Sequence, residues 1–147
     1  MAEGIDRRGR AALSTEVRAR LDEDGTVGAL ARYEVSVSGG CATLVGHVRS
    51  RGLARAMTET ARSVAGVAAV DERLVADDEL EVLVARAIVG GGLNRTTRLV
   101  VRAELGHVRI GGLYPSPEAR DEALRLGAGV PGVVAATAAP ASGLVGS

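Results

Sequence analysis

The sequence predicts an α+β protein of two tandem α-β-β-α-β units, each a two-layer sandwich whose three-stranded mixed sheet is covered on one face by two helices. The first observation is a repeat, since the chain matches itself at an offset of 66 residues, with Gly40 on Gly106 and Gly46 on Gly112. The second is the alternation of apolar and polar residues before the first of these glycines, which is typical of a half-buried strand. The third is a serine that precedes an apolar helical stripe after each hairpin. A long period seen only twice indicates two copies of a small domain rather than a solenoid.

The repeat divides the chain into four segments. We predict a flexible N-terminus at 1–11, a first domain at 12–76, a second domain at 77–140 and a flexible tail at 141–147. Two tyrosines are the only aromatic residues, so both cores must be built from aliphatic side chains.

In the first copy a helix is expected to begin at Ser14, followed by a loop over 22–32. Strands are expected at 33–38 and 41–48, joined by a glycine turn. Ser50 should cap the second helix. The predicted inward stripe of this helix consists of Leu53, Ala56, Met57, Thr60, Ala61 and Val64. Gly66 ends the helix, and the third strand follows near 67–74.

The second copy repeats this order. Asp78 and Glu81 have the spacing of a capping box at the start of its first helix. The predicted inward stripe consists of Leu80, Leu83, Val84, Ala87 and Ile88. Two strands turn at Gly106, and Ser116 with Pro117 opens the last helix. The last strand is predicted near 136–140, where alanines replace the apolar residues of the first copy. In each copy this strand should return parallel through a right-handed crossover, which leaves the other sheet face open.

The segments 40–48 and 64–70 resemble the BON domain, named after bacterial osmotic-shock and nodulation proteins. The pattern of that family looks like G-x-V-x-L-x-G-x-V, followed by a helix, then V-x-G-V-x-x-V and an Asn two residues later. In this sequence Glu72 stands at the position of that Asn. The glycines that carry the motif are Gly40, Gly46 and Gly66 in the first copy and Gly106, Gly112 and Gly132 in the second. The resemblance implies a non-enzymatic module that associates with phospholipid surfaces in osmotic or envelope stress. A cytoplasmic potassium or small-ion sensor is the alternative that some relatives suggest.

Composition excludes several classes of protein. The chain has 18 basic residues, all arginine, and 18 acidic ones, so no net charge steers the whole molecule toward nucleic acid or membranes. The single Cys41 excludes an internal disulfide framework. We read no signal peptide and no transmembrane helix, and therefore predict a protein that is cytoplasmic or peripheral to the inner face of the membrane.

No catalytic residue, metal site or cofactor is predicted. Cys41 and His47 lie on one strand about 20 Å apart, too far for a nucleophile and its base. The glycines of 127–132 match the dinucleotide motif G-x-G-x-x-G, but a helix precedes them and a strand follows, which is the reverse of the required order.

The candidate binding site is the open face of the second sheet. Its predicted members are Arg98, Arg102, His107 and Arg109. The equivalent positions of the first copy include Ser36, Cys41 and Thr43 and are much less cationic. Because arginine binds phosphate through paired hydrogen bonds, we expect this face to bind anionic phospholipid headgroups. The alternatives are a solvated face, arginines paired with Glu104 and acidic groups of the first domain, a contact with a partner protein and a homo-oligomer. Nucleic acid is disfavoured because no aromatic side chain offers a stacking platform.

Overall fold

The chain forms two α+β units that divide between Ala76 and Asp77. The computed structural model describes residues 2–23, 25–93 and 97–139. The elements of the first unit are α1 (Ala2–Asp22), α2 (Gly25–Leu30), β1 (Ala31–Ser38), β2 (Cys41–Val48), α3 (Arg51–Arg62) and β3 (Ala69–Ala76). Those of the second are α4 (Asp77–Ile88), a π-helical turn (Val89–Leu93), β4 (Thr97–Glu104), β5 (His107–Leu113), α5 (Pro117–Ala128) and β6 (Ala135–Ala138).

Each unit has a three-stranded mixed sheet with the same connectivity. The strand orders are β1-β2-β3 and β4-β5-β6. The hairpin strands pair antiparallel, and the third strand pairs parallel with the second hairpin strand in both units. The predicted fold class is therefore confirmed.

The two cores are built mainly from aliphatic side chains, and several of their buried positions correspond. In the sheets, Ala42 and Leu44 of the first unit correspond to Val108 and Ile110 of the second, and all four are buried. The first helix of each unit is shifted by one residue relative to this repeat. Its buried residues Val17 and Leu21 correspond to Val84 and Ile88, an offset of 67 rather than 66. The offset of 66 residues therefore does not hold along the whole chain. Measured from Leu21 and Ile88, the stretch of chain that leads to β1 is one residue longer than the stretch that leads to β4.

The serine caps predicted after the two hairpins, at Ser50 and Ser116, are confirmed. The Ser50 side chain accepts a hydrogen bond from the backbone N–H of Leu53 at 3.1 Å, and that of Ser116 accepts from Ala119 at 3.1 Å. Pro117 occupies the first turn of α5, as predicted. These caps satisfy N–H groups that lack an intrahelical partner.

Helix α1 begins well before the predicted start. Ser14 lies inside the helix, which extends back to Ala2. The segment 2–13 contains no proline and is rich in alanine and arginine, which are good helix formers. A second difference is α2, which forms where a loop was predicted and buries Val27 against the first core.

The inward stripes of two helices differ from prediction. In α3 the buried residues include Ala54, whereas Ala56 is exposed. In α4 the residues Leu80 and Val84 are buried, but Leu83 is exposed. The apolar residues of each helix cover a wider arc than the part that is buried. The sequence alone therefore does not show which residues of that arc face the core.

The short β6 forms although its side chains are small. Its four residues pair with β5, and the backbone N–H groups of Val134 and Ala139 donate to Gly106 at 2.8 Å and Ile110 at 2.9 Å. Ladder hydrogen bonds do not depend on the side chain, so an alanine-rich segment can complete the sheet.

Several motif glycines occupy backbone conformations that L residues rarely adopt. All six have positive φ: Gly40, Gly46, Gly66, Gly106, Gly112 and Gly132. Gly46 is also crowded, since a Cβ atom there would lie 2.1 Å from the carbonyl oxygen of Arg32. Close approach of two backbones therefore explains why glycine stands in the middle of β2. Gly127 lies within α5, where a Cβ would meet the Ile110 side chain at 2.6 Å.

Candidate anion-binding face

Three of the four predicted site residues lie together on the open face of the second sheet. Arg102 of β4 is the direct cross-strand partner of Arg109 of β5, and Glu104 is the partner of His107. All four side chains are exposed. We call these four residues the second-sheet face.

The alternation of the strands explains this grouping. Ala103 and Val108 point to the helices and are buried, so their neighbours in sequence point to the opposite side. Directly opposed side chains of an antiparallel pair have Cβ atoms about 4.5–5.5 Å apart, and like charges at that separation repel. The Arg102 and Arg109 pair is therefore an unfavourable arrangement for the fold alone, and an anion between the two guanidinium groups would relieve it.

The neighbouring strand leaves these cations uncovered. Ala135 and Thr137 of β6 are the register partners of His107 and Arg109. Both are small, and both are exposed. Within the described part of the chain, no salt bridge is formed by Arg102 or Arg109, so their donors can meet an external acceptor.

Arg98, the fourth predicted residue, has its backbone in β4, beside an irregularity between Thr97 and Val100. Its side chain lies outside the described residues.

The first sheet has a different open face. Asp71 and Arg73 of β3 form an ion pair at 2.9 Å, and Arg32 and Glu34 of β1 are both exposed. The positions equivalent to the arginine pair are occupied by uncharged side chains of β1 and β2. The first sheet therefore has no equivalent of the cross-strand arginine pair, which is particular to the second sheet.

Cys41 and His47 lie near opposite ends of β2. Both are half-buried, and they are six residues apart along an extended strand. Among the described residues, no three histidine, cysteine or acidic side chains come together as a metal-binding group.

Two acidic residues of α4 have a role that the sequence analysis missed. Glu81 accepts a hydrogen bond from the Ala103 N–H of β4 at 2.8 Å, so the predicted capping box is wrong. Asp77 is buried and accepts from the N–H groups of Leu105 and Gly106 in the turn of the hairpin. The four-residue spacing of Asp77 and Glu81, which places them on one side of a helix, is the signal that could have revealed this role. These contacts position the strand that carries Arg102.

Both tyrosines have raised pKa values. Burial, together with the hydrogen bond that Tyr33 donates to Asp22 at 2.9 Å, raises the pKa of Tyr33 to about 12. Arg18 lies over its ring at 5.4 Å. Burial also raises the pKa of Tyr114, whose hydroxyl has no hydrogen-bond partner among the described residues. Tyr33 links α1 to β1 and is not part of the second-sheet face.

Helix α1 has 21 residues but carries many charges, and the other helices in the described ranges have at most 12 residues, so none of them is both long and apolar enough to cross a bilayer.

Comparison with known proteins agrees with this architecture. The family model of the BON domain matches residues 10–77 and again residues 76–136. No curated protein matches the chain. The C-terminal domain of CdsD, a structural protein of the type III secretion system of Chlamydia trachomatis, superposes with a TM-score of 0.61 at 14% identity. That match covers 87% of this chain and 66% of the other, slightly under two thirds. A second CdsD structure from Chlamydia trachomatis gives a TM-score of 0.39 at 10% identity, covering 89% of this chain and 96% of the other. The chain therefore belongs to the BON-domain family, a family of non-catalytic binding modules, and carries the domain twice.

Proposed function

We propose that this tandem BON protein associates peripherally with anionic phospholipid surfaces through the second-sheet face. The observation that carries the proposal is the exposed cross-strand pair of Arg102 and Arg109. Each guanidinium can donate two parallel hydrogen bonds to one phosphate, so the pair can hold adjacent headgroups.

The shape of the face favours a surface over a small ligand. The side of a three-stranded sheet is broad and shallow, and the strand beside the cations has the small residues Ala135 and Thr137 at the positions that pair with His107 and Arg109. A flat array of exposed cations matches a flat array of phosphates, whereas a discrete small molecule needs a concave pocket.

The expected affinity is modest and depends on salt. An arginine near an anionic membrane contributes about 1 kcal/mol, and this attraction falls off within a Debye length. Glu104 on the same face opposes the attraction. Association should therefore be strongest at low ionic strength and on membranes rich in anionic lipid.

Co-sedimentation with vesicles tests the proposal. Wild-type protein should pellet with phosphatidylcholine vesicles that contain phosphatidylglycerol and not with pure phosphatidylcholine. Replacing Arg102 and Arg109 with Glu should weaken binding at least roughly 30-fold, since two contributions of about 1 kcal/mol are lost and two repulsions are gained. Adding Arg98→Glu determines whether that side chain also contributes.

A matched control changes the net charge by the same amount elsewhere. Arg55 and Arg62 are exposed on α3, so the double replacement of these residues with Glu should bind as wild type does. Equal pelleting of the Arg102 and Arg109 variant and wild type would refute the proposal, as would absence of wild-type binding to anionic vesicles at low salt.

The biological setting that we propose is osmotic or envelope stress, on the basis of family membership. Cells that lack the protein should recover more slowly from an osmotic upshift. Wild-type protein should restore recovery, and the Arg102 and Arg109 variant should not. Equal rescue by both would refute a role for the face in this response.

A further inference from the structure

Helix α4 has an apolar surface on the side that faces away from its core. Leu80 and Val84 are buried, whereas Val82 and Leu83 are 49% and 48% exposed. These two adjacent side chains form a small exposed apolar patch, and apolar patches that polar residues surround mark contact surfaces.

Charged residues flank this apolar pair in a particular order. Glu79 and Arg86 are each three or four residues away from both members of the apolar pair. Residues at this spacing are neighbours on a helix surface, so all four side chains lie on one face of the helix. We call Glu79, Val82, Leu83 and Arg86 the α4 outer face. Together with Asp78 they line a depression in the surface.

The α4 outer face is complementary to itself. Its midpoint lies between Val82 and Leu83, and Glu79 and Arg86 lie about 5 Å to either side along the axis. A two-fold axis through this midpoint pairs the helix antiparallel with its copy. Glu79 of each chain then lies opposite Arg86 of the other, and Val82 opposite Leu83. This is the arrangement that an isologous dimer interface requires.

We propose that the α4 outer face is a homodimer interface in which two copies of α4 pack antiparallel around this axis. The contact involves one helix from each chain, so it is smaller than a standard stable interface, and the dimer is weak and concentration-dependent. The interface lies on a different element from the second-sheet face and requires no lipid.

Sedimentation equilibrium of the full-length protein provides the first test. The average mass should rise from that of a monomer toward that of a dimer between about 10 µM and about 1 mM. Leu83→Glu should remain monomeric over the same range, because it places a charge in the apolar centre. A monomer mass for the wild type at every concentration would overturn the proposal, as would a wild-type dimer that Leu83→Glu leaves unchanged.

Charge reversal then tests the antiparallel geometry. Glu79→Arg places two arginines opposite each other at both ends of the interface, and Arg86→Glu does the same with two carboxylates. Each variant alone should dimerise at least tenfold more weakly than wild type. An equimolar mixture of the two restores one opposite-charge pair at each end, so it should form heterodimers with near wild-type affinity.

Glu118→Arg serves as the matched control, because Glu118 also lies in the first turn of a helix but on α5. It should dimerise as wild type does and should not respond to Arg86→Glu. Circular dichroism of each variant verifies that α4 remains folded. If the mixture of the folded variants stays monomeric, the antiparallel pairing is wrong.

Discussion

The carboxylate of Asp77 accepts a hydrogen bond from the backbone N–H of Leu105 at 2.7 Å and holds this residue in the left-handed region, with φ of 50°. The other oxygen of the carboxylate accepts from Gly106 at 3.1 Å. In the first unit the corresponding turn has glycine at both positions, Gly39 and Gly40, with φ of 58° and 77°. Glycine adopts this conformation at little cost, whereas an L residue there is strained by about 1–2 kcal/mol. The two units thus form the same turn in different ways. The first has Gly39 at the position of Leu105, and the second has Leu105 held by the carboxylate of Asp77.

Removal of the Asp77 carboxylate should destabilise the second unit. Asp77 is 2% exposed, and Asp77→Ala leaves two turn N–H groups without their charged acceptor. The expected loss is about 3 kcal/mol of unfolding free energy, measured by urea denaturation.

Asp77→Asn retains the shape and one acceptor oxygen, so it should lose less. Asp78→Ala, an exposed neighbour in the same turn of α4, is the control and should change stability by no more than about 1 kcal/mol. Equal effects of Asp77→Ala and Asp78→Ala would show that the turn does not depend on the carboxylate.

Gly46→Ala should be severely destabilising. A Cβ atom at this position would lie 2.1 Å from the Arg32 carbonyl oxygen and 2.6 Å from the Tyr33 Cα, and both are backbone atoms that cannot move without separating β1 from β2. The expected cost is at least about 3 kcal/mol, seen as a lower denaturation midpoint of the first unit.

Gly52→Ala provides the matched control. Gly52 lies in the first turn of α3, and the nearest atom to a Cβ there is the Ser50 hydroxyl at 3.8 Å. Because alanine is the better helix former, this change should be neutral or stabilising by up to about 1 kcal/mol. A similar loss at both sites would mean that crowding at Gly46 does not explain the effect.

The sequence predicts those parts of the fold that depend on local chemistry. The hairpin glycine turns, the strand alternation and the serine caps after the two hairpins are decided within a few residues, and the structure has them at the predicted places. The role of Glu81 depends on a hydrogen bond from Ala103, which is 22 residues away in the sequence. The spacing of Asp78 and Glu81 fits a capping box equally well, so it does not indicate this contact. The exposure of Leu83 likewise depends on which part of a wide apolar arc packs against the sheet.

The same limit applies to the candidate site. Strand alternation suffices to place Arg102, His107 and Arg109 on one face, since it determines which side of a sheet a residue faces. That Arg102 lies directly opposite Arg109 depends on the register of the hairpin, which is set by a two-residue turn.

Glu72 and Arg51 should stabilise the first unit cooperatively. The Arg51 guanidinium donates to the Glu72 carboxylate and, at 3.1 Å, to the backbone carbonyl of Leu74. The two side chains are 28% and 25% exposed, so the ion pair is only partly screened by solvent. A double-mutant cycle with Arg51→Met and Glu72→Gln should give a coupling free energy of about 1 kcal/mol.

The second unit supplies an internal comparison for this ion pair. Pro117 and Ala138 occupy the corresponding positions. Neither side chain is charged, so no ion pair links the start of α5 to β6 at these positions. Because dissolved ions screen the partly exposed charges of Arg51 and Glu72, raising the salt concentration should reduce the coupling free energy measured in the first unit. A coupling free energy of zero in low salt would show that the two side chains act independently.

The stability of the first unit should fall as the pH rises from about 10 to about 12. The native pKa of Tyr33 is raised to about 12, mainly by burial and then by its hydrogen bond to Asp22, whereas in the unfolded chain tyrosine titrates near 10. Between these values the unfolded state has lost a proton that the native state keeps, so alkaline pH favours unfolding. Because the ring is partly exposed to solvent, the loss should not exceed about 2 kcal/mol.

Tyr33→Phe removes the ionisable group and should flatten the pH dependence between about 10 and about 12, although it also lowers stability at neutral pH by removing the hydrogen bond to Asp22. The phenolate absorbance of Tyr114→Phe, in which Tyr33 is the sole remaining tyrosine, reports its titration directly. A midpoint near 10 in folded Tyr114→Phe would contradict the proposed effect of Asp22 and of burial. An unchanged pH dependence in Tyr33→Phe would assign the alkaline transition to another group.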